Sequence, residues 1–160
     1  MRKLLIAILF VVCAANLSAQ KNPFEQFTEM DGVTSVYISK NMLSLFPKNA
    51  KNMNYGGIDV GNFLHKLSSI LILTTEDKNI GKRMVSLANN QVKGDNYELL
   101  MRVKSDDDDN VNFFMKGKPE SIRELIMIVD GSDDESVILQ FLGDFTLQDI
   151  QKMTEGFGKD

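Results

Sequence analysis

Between Tyr97 and Leu142 the chain spells four strand-like segments in a row, and this run limits the fold more than any other feature. Tyr97 to Lys104 and Asn110 to Lys116 alternate, so Leu99, Met101 and Val103, and then Val111, Phe113 and Met115, are each expected on one face. Ile122 to Val129 and Ser136 to Leu142 make a second hairpin around Asp130-Gly131-Ser132-Asp133, where glycine supplies the positive-φ position. Four strands joined by hairpins form an antiparallel meander.

The earlier half mixes helices with strands. Asn22-Pro23-Phe24-Glu25 opens a short helix with Phe24, Phe27 and Met30 on one side, and Asp31-Gly32 stops it. Val33 to Ser39 reads as a strand. Ser39 then caps a short helix carrying Met42, Leu43 and Phe46. Pro47 to Gly57 is the longest polar stretch, and a surface loop is expected there. Asp59 is placed to cap another short helix with Val60, Phe63, Leu64 and Leu67. Ser69 to Thr75 is apolar on consecutive residues, as befits a strand covered on both faces. A longer helix follows, with Ile80, Met84, Leu87, Ala88 and Val92 as its apolar stripe and Gly94 as its stop. Thr146 to Met153 closes the chain as a helix bearing Leu147, Ile150 and Met153. The order predicts an α+β fold: one domain with helices packed on one face of a mainly antiparallel sheet.

That domain is expected over residues 20–160, because residues 1–19 read as a cleavable signal peptide. Arg2 and Lys3 precede the apolar run Leu4 to Val12, which is about half of a membrane-spanning helix, and small residues follow up to Ala19 and Gln20. Cleavage is expected at Ala19 or Gln20. Cys13 could be the acylated residue of a lipoprotein, but Val12 stands where that processing wants a small residue, so a lipid anchor is the weaker expectation. Cys13 is the sole cysteine, and its loss with the signal would leave a mature chain without disulfides or thiolate chemistry. The mature chain carries 16 Lys+Arg against 22 Asp+Glu, a net charge of −6. Such a balance argues against nucleic acid and against electrostatic binding to anionic lipid. No later apolar run approaches membrane-spanning length.

The motifs of known chemistry are incomplete in this chain. Counted from Asp106 in the run Asp106-Asp107-Asp108-Asp109, a calcium loop needs glycine at the sixth place and glutamate at the twelfth. Val111 and Gly117 stand there instead. The turn of Asp130, Asp133, Asp134 and Glu135 fails likewise, with Phe141 at the twelfth place. If the two hairpins are neighbours, their acidic tips lie at one edge of the sheet and form a candidate meeting point for a cation or a basic partner. His65, the single histidine, lacks the partners of a triad or metal centre and reads as a half-buried or surface residue. Gly56, Gly57 and Gly61 are turn glycines, without the Lys-Ser/Thr of a phosphate loop. Met84, Met101, Met115, Met127 and Met153 are expected to face the core as adaptable packing.

Five segments carry a resemblance: Gly32 to Leu43 (GVTSVYISKNML), Ile72 to Lys78 (ILTTEDK), Tyr97 to Lys116 (YELLMRVKSDDDDNVNFFMK), Ile122 to Gly131 (IRELIMIVDG) and Phe141 to Met153 (FLGDFTLQDIQKM). In this order they resemble the domain-of-unknown-function 4252 family of small exported bacterial proteins. The resemblance implies a signal-bearing envelope protein of a Gram-negative lineage and supplies no catalytic residues. Strong fold signals without a chemical constellation favour a non-enzymatic periplasmic or envelope module for protein interaction or sensing, which needs no cofactor and meets another envelope protein. The rival is a carrier of small apolar ligands, with Phe24, Phe27, Phe46 and Phe63 lining its pocket.

Overall fold

The computed structural model describes residues 22–46, 63–94, 96–104, 110–131 and 135–154. Among them six strands form one antiparallel sheet: β1 (Thr34–Ser39), β2 (Leu67–Thr75), β3 (Tyr97–Lys104), β4 (Asn110–Lys118), β5 (Ser121–Asp130) and β6 (Ser136–Phe145). Their order across the sheet is β1-β2-β6-β5-β4-β3. The helices are α1 (Lys40–Leu43), α2 (Lys78–Gly94) and α3 (Leu147–Thr154), preceded by a 3-10 turn at Pro23–Phe27. The fold is α+β, as the strand run requires.

Local chemistry sets several of these limits. Asn22 caps the 3-10 turn by accepting from the Phe24 N–H, and proline occupies the first turn, where no amide is needed. The Asp77 carboxylate accepts from the amides of Asn79 and Ile80 at 2.8 and 3.0 Å, satisfying free donors at the start of α2. Met84, Val85, Ala88 and Val92 form the buried stripe of that helix. Gly81 lets it lie close on the sheet, since a Cβ there would stand 2.5 Å from the Ser136 Oγ. At α3, Thr146 and Asp149 cap each other: the Thr146 N–H donates to the Asp149 carboxylate at 2.8 Å, and the Asp149 N–H donates back to the Thr146 hydroxyl at 3.2 Å.

The consecutive apolar residues of β2 divide between two cores. Leu71 and Leu73 join Phe24, Phe27, Met84, Val85, Ala88, Val92, Ile126, Ile128 and Ile138 in a cluster under α2. Ile70 belongs to the other cluster, with Leu43, Phe63, Leu67, Met115, Ile122, Leu125 and Phe145, and Ile72 packs against it. Side chains alternate along a strand, so the clusters lie on opposite faces of the sheet. We call the α2 side the first face. The expected one-sided covering therefore gives way to covering on both sides, because β2, β5 and β6 carry apolar residues in both alternation phases.

Three local expectations also change. Leu67 opens β2 instead of continuing a helix, which among the described residues runs only through Phe63 and Leu64. A bulge between Leu99 and Met101 pairs Leu99 with Phe114 and Met101 with Phe113, placing Leu99 opposite to Met101 and Val103. Met84 and Met115 are buried as expected, but Met101 is 48 % exposed because it stands on edge strand β3, on the side facing away from α2. The expected signal segment with Cys13, Ala19 and Gln20, the Pro47 to Gly57 loop and the Asp106–Asp109 run lie outside the described residues.

Candidate functional site

On the second face the register aligns apolar residues from every strand. One row runs Ile38–Ile70–Phe141–Leu125–Met115 from β1 to β4, and it belongs to the second cluster. This half is covered. Phe63 meets Phe141 and Phe145 edge to face, with ring centroids 6.1 and 5.3 Å apart, and Leu43, Leu147 and Ile150 pack against the same cluster. The Lys66 ammonium ties the end of this cover down by donating to both Asp149 oxygens at 2.7 and 2.8 Å. Burial pushes the Asp149 carboxyl up, but the Lys66 and Thr146 donors outweigh it, and the group titrates below the usual carboxylate range.

Among the described residues the cover ends two residues further along each strand. The next row is Val36–Ile72–Leu139–Met127–Phe113–Met101, spanning all six strands. Beyond it lies Thr34–Thr74–Val137–Val129–Val111–Val103. The inner members are half-buried, while Val36, Met101 and Val103 are 43 %, 48 % and 48 % exposed. Ten of these twelve side chains are purely apolar, on a continuous sheet surface. A contiguous apolar surface of this kind is a recognised mark of an interaction site, in contrast to scattered exposed side chains. Apart from the Thr34 and Thr74 hydroxyls, the side chains of these rows carry neither donor nor acceptor, and they offer apolar contact area.

Among the described residues Asp130 at the end of β5, and Glu76, Asp77 and Glu135 beside Thr34 and Thr74, place carboxylates at one end of this surface. Asn110 pairs with Lys104 on one side and Asp130 on the other, so the β3–β4 and β5–β6 connections leave the sheet at the same end. Asp106–Asp109 and Asp133–Asp134 themselves lie outside the described residues. Among the described residues no group of three or more His, Cys, Asp or Glu could hold a metal ion.

His65 is half-buried, and its Nε2–H donates to the Phe46 carbonyl at 2.8 Å, which fixes the tautomer and ties two chain segments together. Of the four phenylalanines expected to line one pocket, Phe24 and Phe27 lie in the first cluster and Phe63 in the second, on opposite sides of the sheet. A polar chain that alternation alone did not reveal crosses the first face. The Asn22 amide donates to the Gln140 carbonyl at 2.8 Å, and the Gln140 amide donates to buried Glu124 at 2.6 Å. It anchors the N-terminal turn to β6 and β5. The open rows were also missed, because register between strands distant in sequence follows from tertiary pairing.

Among the described residues no helix is long and apolar enough to cross a membrane. No curated protein and no solved structure matches the chain. A family model described as a domain of unknown function, DUF4252, matches residues 24–153, which takes in all six described strands and most of α3, and the chain belongs to that family.

Proposed function

We propose that this chain is a non-enzymatic protein-interaction module, exported to the bacterial periplasm or cell envelope, whose open half-face docks another envelope protein. The observation that carries the reading is the pair of apolar rows that the described residues leave only partly covered, beside a well-covered half of the same face. A covered half shows that the chain can close this face where closure serves folding. The uncovered half retains its apolar character at a cost in solubility that a partner's surface would relieve. The acidic end supplies a charged rim, which favours a partner with a basic border and speeds its approach.

Export by the signal segment belongs to the same proposal. It rests on the Arg2-Lys3 start, the Leu4–Val12 run and the small residues up to Ala19.

The test is a crosslinking capture from the envelope fraction, run with the wild-type chain and with a Met101→Lys/Val103→Lys variant. Both positions are half exposed, so the variant should keep its circular dichroism spectrum. The expected outcome is a defined partner captured by the wild type and lost with the variant. Equal capture by both would move the site away from this face.

A further inference from the structure

The two edges of the sheet are built differently. At the β3 edge the bulge at Leu100 breaks the ladder's regularity, and Glu98, Arg102 and Lys104 place charges along the strand. These are the devices by which proteins keep an edge from pairing with another chain. The β1 edge has none of them. Thr34-Ser35-Val36-Tyr37-Ile38-Ser39 contains no charge, proline or glycine, and its pairing with β2 runs through all six residues without a shift. Among the described residues no strand pairs with its outer side. Val36 is 43 % and Tyr37 64 % exposed.

We infer that β1 is a self-pairing edge, through which two copies of this chain join antiparallel about a two-fold axis at Tyr37 into one continuous sheet. The sequence of the strand names the occupant. A two-fold interface sets each residue against its mirror position, so the segment must be complementary to itself. Read outward from Tyr37, it is: Tyr37 meets Tyr37, Val36 of one copy meets Ile38 of the other, and Ser35 meets Ser39. Aromatic pairs, β-branched pairs and hydroxyl pairs are the cross-strand combinations that stabilise antiparallel ladders. A foreign strand would place no demand for such symmetry on β1.

Charge agrees with this register. The chain as a whole is acidic, at −4, yet the strand is neutral, so pairing sets no like charges face to face. The next residue, exposed Lys40, arrives at the Thr34 end of the other copy. There Glu76, Asp77 and Glu135 line a shallow hollow of about 440 Å³ together with Thr34. Parallel pairing would instead set Lys40 against Lys40. On the second face the pairing joins the Val36 row of one copy to the Ile38 row of the other, widening the apolar surface whatever that surface binds.

Sedimentation of the protein purified from the envelope of cells expressing the full chain is the test. A concentration-dependent dimer is expected. Tyr37→Lys, an exposed change that puts two ammonium groups together at the axis, should weaken it by at least about tenfold. Mixing Tyr37→Lys with Tyr37→Glu should restore pairing as a heterodimer. Tyr37→Cys should form a disulfide between copies, since directly opposed residues of a ladder have Cα atoms within disulfide reach, whereas Val103→Cys on the other edge should not. A protein that stays monomeric throughout overturns the inference. So does a dimer indifferent to Tyr37→Lys, or a β1 that pairs only with a strand of a different protein. If Tyr37→Lys fails to fold, the cysteine pair decides.

Discussion

On the first face the row Leu73–Ile138–Ile128 lies beneath α2 with 0 % exposure at each residue, while on the second face the row through Ile72, Leu139 and Met127 is only partly buried. The same three strands supply both rows. The difference lies in what crosses them: seventeen helical residues on one side, and on the other α1, the Phe63 turn and α3 gathered at one end. Burial on the first face provides folding energy at about 25 cal/mol per Å² of apolar surface. The open rows collect only part of that gain. Apolar pattern is thus used for stability on one side of the sheet and kept available for contact on part of the other.

Adjacent residues of β5 give the strongest test. Ile126→Asp puts a carboxylate into the first core without a partner and should cost more than about 4 kcal/mol, abolishing cooperative unfolding in urea. The same change one residue on, Met127→Asp, faces the open rows and should leave a folded protein. Equal loss from both would show that the second face is closed in solution.

The covered half of the second face should respond at an intermediate level. A Cβ on Gly143 would run into the Lys66 carbonyl and lie 2.9 Å from the Leu67 Cα. Both are backbone atoms that cannot swing aside, so Gly143→Ala should lose about 2 kcal/mol by chemical denaturation. Unchanged stability would mean that the chain entering β2 is not held against β6.

Asp149→Ala removes the capping partner of Thr146 and the Lys66 contact, and should cost about 1 kcal/mol, discounted because the Lys66 side chain is 41 % exposed. Its pH dependence has a defined sign. The folded carboxyl titrates below its unfolded value, so its contribution is present above about pH 4 and is lost as pH falls through the folded value. Wild type and variant should therefore converge in stability in acid. Val103→Lys, at the margin of the open rows, should stay within about 0.5 kcal/mol of wild type while weakening partner capture. A larger loss would place Val103 under cover.

The residues that end or begin elements were legible in the sequence for local reasons. Asn22 and Ser39 cap their turns through their own side chains, and the Ile80–Val92 stripe forms a helix face from spacing alone. The hairpin β5–β6 could be placed from alternation around a turn. What alternation could not give was the partner of each row. Ile72 meets Leu139, and Phe113 meets both Met127 and Met101, only because β2 inserts beside β6 and the sheet runs back through β5 and β4 to β3. The bulge at Leu100 likewise reverses Leu99 through backbone pairing that carries no distinct residue signature. By itself the sequence determined that this chain is an α+β member of its family with a largely antiparallel sheet, because hydrogen-bonding period and capping act over a few residues. Which apolar residues are sealed and which stand open was decided by tertiary structure, because burial depends on a helix or turn arriving from elsewhere in the chain.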